Sequence, residues 1–178
     1  MPTTPYVDPD TVAAIGTGDT VPSSWFGTVR DNLETLARAP GCVVARVSPA
    51  IAHADDTATA LTFSDPDERD TDGYHSPFAP DHDQIVIPDG LGGWYSIIGW
   101  VEWSANATGR RQWTISINGT QKDGGMRVPA TATGVTTLPV AAEYELAAGD
   151  VLRLVCAQTS GGDLNVSGRL AVRLVALS

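Results

Sequence analysis

The sequence predicts an all-β protein, an antiparallel β-sandwich or jelly roll, preceded by an extended arm and one short α-helix. Three observations point there. From Cys42 onward, apolar residues recur with period two in short runs. Gly-, Asn- and Pro-rich turn signals separate the runs: "SING", "AAGD" and "SGGD". No helical segments alternate with them, which excludes a parallel α/β sheet.

The first 19 residues hold Pro2, Pro5 and Pro9 and favour an extended path. They read as a frayed terminus or as an arm that orders on a neighbouring subunit. Residues 20–41 read as the helix. Pro22 marks its entry, Ser23 or Ser24 caps it, and Pro40-Gly41 ends it. Trp25, Phe26, Val29, Leu33 and Leu36 make one apolar stripe, with Asp31 and Glu34 outside it. The stripe covers about two heptads, too little to stand alone. It packs on its own β domain, on symmetry mates or on another protein.

Residues 42–178 form the predicted sandwich. Strands are expected at 42–47, 59–63, 84–88, 92–103, 110–119, 126–129, 135–146, 151–158 and 164–177. The run "GGWYSIIGWVEW" (92–103) carries aromatics on both faces. Tyr95, Ile97, Gly99, Val101 and Trp103 share one face; Trp94, Ile98 and Trp100 share the other. A strand wetted on one side would not be built so. One face is expected in the core and the other against a partner. Next, Trp113, Ile115 and Ile117 point one way, and Asn118-Gly119 reads as a tight hairpin turn. In the last strand Leu164, Val166, Gly168, Leu170, Val172 and Leu174 are in register, with Arg169 and Arg173 opposite.

With 178 residues, the chain suits one domain and an extension, and 42% hydrophobic residues suffice for a core. Eleven cations, of which Lys122 is the single lysine, stand against 21 acids, a net charge of −10. That balance opposes nucleic-acid binding, which needs cations to displace phosphate counterions. No secretion signal and no membrane-crossing apolar run are read. Cys42 and Cys156 show no metal spacing. Both sit in apolar runs and read as buried thiols, with a bridge between them left open.

Catalysis finds little support. No Gly-x-Ser-x-Gly elbow is present, no cofactor motif occurs, and Glu102 lacks a second carboxylate at a fixed distance. His75 and His82 share a loop (64–83) with Asp70, Asp72, Asp81 and Asp83. That loop reads as a solvated turn region or, less simply, as a metal site. "DTDG" (70–73) resembles the start of a calcium loop, but residue 81, where the bidentate Glu belongs, is Asp. It reads better as a turn presenting Tyr74 and His75 to a neighbour. Glu102 is expected to meet an arginine across an assembly, with Arg153 and Arg169 the candidates.

The order "GGWYSIIGWVEW", "RRQWTISING", "YELAAGDVLRLVCAQTSGGDLNV" and a final strand of small apolar residues resembles a C1q/tumour-necrosis-factor-like jelly roll over 42–178. "GDTVPSSWFGTVRDNLETL" (18–36), "RDTDGYHS" (69–76) and "ANATGRRQW" (105–113) are similar to segments of virion proteins of tailed actinobacterial phages. Together these resemblances imply a homotrimeric virion component, assembled in the host cytoplasm and lying on the capsid surface or the tail. The implied role is head decoration or a minor capsid protein. The implied partners are copies of itself and the major capsid protein or other virion proteins. Trp94, Tyr95, Ile98, Trp100 and Trp103 are the candidate trimer interface, and the helix stripe is the candidate anchor. The alternative is a tail-fibre tip or minor tail protein that binds a host-surface glycan, with the tryptophans stacking on sugar. No nucleic acid, membrane or cofactor is expected.

Overall fold

The structure is a computed structural model. It describes residues 39–78, 80–122, 125–131 and 134–177, with the side chains of 48 and 49 excepted. The expected arm and anchor stripe, and the expected helix (20–41) up to residue 38, lie outside the described residues; Gly41, the helix's expected stop, is the first residue of a strand. The chain divides into two compact units, Met1–Pro40 and Gly41–Ser178, and every described strand lies in the second.

Among the described residues, eleven strands build that unit. They are β1 (Gly41–His53), β2 (Thr59–Ala60), β3 (Arg69–Asp70), β4 (Ile85–Val86), β5 (Gly93–Trp103), β6 (Arg110–Ile117), β7 (Thr120–Gln121), β8 (Met126–Pro129), β9 (Thr136–Leu146), β10 (Val151–Gln158) and β11 (Leu164–Leu177). One sheet has the order β3-β1-β11-β5-β9. The other has β2-β10-β6-β7, with β4 also on β10 and β8 also on β6. All pairings are antiparallel. The first long strand pairs with the last, and β5–β6, β9–β10 and β10–β11 each cross between sheets. That alternation closes the two layers over a single core and makes the molecule a jelly roll.

The period-two pattern places the core. Tyr95, Ile97, Val101 and Trp103 of β5 face Trp113, Ile115 and Ile117 of β6 and Leu152, Leu154 and Cys156 of β10 across the interior. The last strand contributes Leu164, Val166, Leu170, Val172 and Leu174. Both cysteines are buried and free. Burial pushes the Cys156 thiol up to about 12 and raises that of Cys42 well above its usual range. Arg111 takes the next inward position on β6 and is wholly buried. Its guanidinium donates to the carbonyls of Asn106, Thr108 and Arg110, which holds the β5–β6 connection over that end of the sandwich.

Several strand boundaries differ from those expected. The first strand runs on to His53 after an irregularity between Arg46 and Ile51, which the prolyl break at residue 49 hid from the sequence pattern. Runs 59–63 and 84–88 shrink to two residues each. The pairs Thr120–Gln121 and Arg69–Asp70 form short strands that two-residue windows cannot reveal. The Asn118-Gly119 turn has φ of 51° and 78°, the doubly left-handed geometry of a tight hairpin. Asn118 also accepts from Val151 N and donates to Asp150.

Candidate functional site

The five-stranded sheet has one face in the core and one outside, and the outside face is apolar at its centre. Strand register shows how. Ile98 lies between Ala171 and Ala141, and Ala171 in turn lies beside Val43. Trp100 lies between Arg169 and Pro139. Trp94 is 50% exposed and Ile98 61% exposed, and Trp100 is half-buried. The six-stranded sheet is mixed. Its outward positions carry Gln112, Thr114, Ser116 and Arg153 but also Val151, Val155 and Ala157, and Thr114 and Ser116 are buried.

The sequence makes five residues of β5 interface candidates, and the structure divides them. Trp94, Ile98 and Trp100 lie on the outer face. Tyr95 and Trp103 are 0% exposed and belong to the chain's own core, so they have no surface to offer a partner. The reason is the strand period: odd-numbered positions of this strand all turn inward. The Tyr95 hydroxyl is spent inside as well, on the Leu91 carbonyl and the Tyr74 hydroxyl.

The loop at 64–83 is a tether. Asp70 Oδ1 accepts from the backbone N–H groups of Asp72, Gly73 and Tyr74, and Oδ2 accepts from that of His75. The "DTDG" carboxylate is thus consumed by its own turn. Tyr74 is buried, and burial together with the Tyr95 contact raises its hydroxyl pKa. The His75 ring is buried too and meets Asp67 at 2.7 Å. Neither residue is presented outward, contrary to the expectation; the nest of N–H groups around Asp70 rotates both into the core. Among the described residues, no three His, Cys, Asp or Glu side chains converge as metal ligands would.

Glu102 also finds a nearer partner than expected. It accepts from the Thr137 hydroxyl on the adjacent strand. Arg153 pairs with Asp83 and Arg169 pairs in fork geometry with Glu68.

The outer face has charged flanks that sequence reasoning missed. On the β3–β1 side, Arg69 stands beside Val43, and Arg173 stands between Gly41 and Ser96. They rim a shallow hollow of about 120 Å³ floored by Gly41, Val43 and Ala171. On the opposite edge, β9 carries Glu143 and Glu145 outward. Only strand order brings residues 69 and 173 together, so no local pattern could have shown it.

No protein-family model and no curated protein sequence matches the chain. Solved structures do. The globular domain of zebrafish complement 1qA superposes with a TM-score of 0.59 at 12% identity, covering 78% of this chain and 99% of that one. Vertex protein P5 of the phage PRD1 gives 0.55 at 14% identity, covering 78% and 98%. Eiger TNF from S. frugiperda gives 0.52 at 13% identity, covering 79% and 94%. At such identities the likeness is one of fold: two antiparallel sheets in a C1q/TNF-like jelly roll.

Proposed function

We propose that this chain is a structural virion protein, a homotrimer that decorates the head of a tailed phage or serves as its minor capsid protein. The observation that carries the reading is the apolar outer face of the five-stranded sheet, centred on Trp94, Ile98 and Trp100, with Trp94 50% and Ile98 61% exposed. An exposed patch of this kind on a long sheet is a liability for a lone chain and is removed from water by closed assembly. The vertex protein among the similar folds supports a place on a particle. The helix stripe Trp25, Phe26, Val29, Leu33 and Leu36 serves as the anchor to the major capsid protein or another virion protein. Bound trimers bridge shell subunits and stabilise the assembled state by mass action.

The second reading, a tail-tip protein that binds a host glycan, uses the same exposed tryptophans as stacking platforms. Copy number separates the two. Quantitative mass spectrometry of purified particles gives hundreds of copies for decoration, with density on the shell by electron cryomicroscopy. A handful of copies at the tail, with glycan binding by isolated trimers, overturns decoration in favour of the second reading.

A further inference from the structure

The Asn118-Gly119 turn carries a chemistry that the assembly reading does not use. Asn118 is followed by a glycine, whereas Asn32, Asn106 and Asn165 precede Leu33, Ala107 and Val166. In an Asn-Gly pair no side chain shields the glycine nitrogen, so that nitrogen can attack the asparagine side-chain carbonyl. Asn118 and Gly119 are both exposed. A Cβ built on Gly119 would meet nothing within 4 Å, so the glycine stands in open space that water reaches. By sequence alone the pair is labile.

The fold ties the reactive side chain down. Asn118 Oδ1 accepts from Val151 N at 2.9 Å, and Asn118 Nδ2 donates to Asp150 Oδ1 at 2.7 Å. Asn118 N also donates to the Val151 carbonyl at 2.9 Å. Asp150 is itself fixed. Its Oδ2 accepts from Ala147 N at 2.8 Å, its N donates to the Ala147 carbonyl at 3.1 Å, and its carbonyl accepts from Ile87 N at 3.0 Å. The Asn118 amide therefore joins the β6–β7 turn to the β9–β10 turn. Attack needs Cγ to swing onto Gly119 N with its carbonyl face presented; here both ends of the amide are held at the start of β10 instead.

We infer that Asn118 is a deamidation site held latched by Asp150, and that its modification unlatches the two turns. Base takes the proton from Gly119 N, and the nitrogen attacks Asn118 Cγ. The new N–C bond closes a cyclic imide as the Cγ–Nδ2 bond breaks, and Nδ2 takes a proton from water and leaves as ammonia. Water then opens the imide at one carbonyl or the other, leaving an aspartate or an isoaspartate. Either product puts a carboxylate where Nδ2 donated to Asp150 Oδ1, and two carboxylates so close repel. The isoaspartate also adds a backbone carbon to a turn whose φ values of 51° and 78° fit a tight hairpin. Val151, the first residue of β10, pairs with Val86 of β4, so loss of the latch loosens the start of that ladder. The site lies on the six-stranded sheet and does not depend on the trimer reading.

The test incubates the full chain at mildly alkaline pH and digests it with trypsin, which cuts after Arg111 and Lys122. Mass spectrometry of the peptide 112–122 follows the conversion of amide to acid. Native wild type is expected to deamidate at least about tenfold more slowly than the same chain unfolded in urea. Asp150→Ala removes the partner of Nδ2 and is expected to deamidate at least about fivefold faster than native wild type. Circular dichroism establishes that this variant is folded under the incubation conditions. Equal rates in native and unfolded wild type overturn the inference, and so does a folded Asp150→Ala that reacts no faster.

Asn118→Asp mimics the product and reads the consequence. It is expected to lower Tm by about 2–6 °C. The double variant Asn118→Asp/Asp150→Asn sets one amide against one carboxylate again, with the roles exchanged. It is expected to regain at least about half of that loss. An Asn118→Asp melt equal to wild type overturns the unlatching, as does a folded double variant that melts no higher than the single one. Light scattering on wild type is independent of all these arms: the mass of one chain would sink the trimer reading and leave this inference standing.

Discussion

Asp70→Ala tests whether one carboxylate organises the long loop. The side chain accepts four backbone N–H groups, at 3.2 Å from Asp72, 2.8 Å from Gly73, 3.0 Å from Tyr74 and 3.0 Å from His75. Alanine leaves all four unmet. Water can replace the acceptor at Asp72 and Gly73, near the surface, but less readily at Tyr74 and His75, whose side chains are packed inside. A hydrogen bond to a charged acceptor contributes about 1.5–3 kcal/mol. Two that are not replaced give a loss of about 3–6 kcal/mol. For a chain of this size that lowers Tm by roughly 6–24 °C. Asp70→Asn is the graded control. Its carbonyl oxygen can still serve the three donors at Oδ1, while its amide nitrogen confronts the His75 N–H. It is expected to lose about half as much. The assay is a calorimetric melt at fixed protein concentration, since assembly makes Tm concentration-dependent. Hydrogen exchange at the Tyr74 and His75 amides localises the effect. A melt of Asp70→Ala within about 1 °C of wild type would refute the reasoning, as would equal losses in the two variants.

Ile98→Lys places a cation at the centre of the apolar band, on a side chain 61% exposed in the single chain. Burying that exposed part contributes about 1–2 kcal/mol per copy, so a trimer loses roughly 3–6 kcal/mol and its dissociation constant rises more than about a hundredfold; sedimentation with an unchanged trimer mass would exclude this face from the interface. Deleting residues 1–40 leaves the unit Gly41–Ser178 intact and is expected to give folded trimers that no longer decorate shells in a co-sedimentation assay. Cys42 and Cys156 are expected to resist a thiol reagent at pH 8 until the protein unfolds, because both are buried and protonated. The same burial fixes the sign of the alkaline response. The folded thiols and the Tyr74 and Tyr95 hydroxyls have raised pKa values, so between the unfolded and folded values the native state holds more protons. Stability is therefore full below about pH 9, the ordinary thiol value, and falls as pH rises above it; a denaturation midpoint constant from pH 8 to pH 11 would contradict this.

The period-two text from Cys42 onward determined much by itself. It placed the long strands, the two-faced character of β5, the Asn118-Gly119 turn and which residues of β5, β6 and β11 share a face, because side-chain alternation is a local property of an extended backbone. It also placed Trp94, Ile98 and Trp100 on one face together. What it could not supply was anything resting on pairing between distant strands. Tyr95 and Trp103 enter the candidate interface on sequence alone because a single strand does not reveal which of its faces is inside. Tyr74 and His75 read as outward because nothing local shows that one aspartate gathers four N–H groups and turns them in. The basic hollow needs β1 between β3 and β11, and the acidic flank needs β9 at the sheet edge; both depend on strand order, which is set by packing between segments distant in sequence, from Cys42 with Asp70 to Gly41 with Arg173.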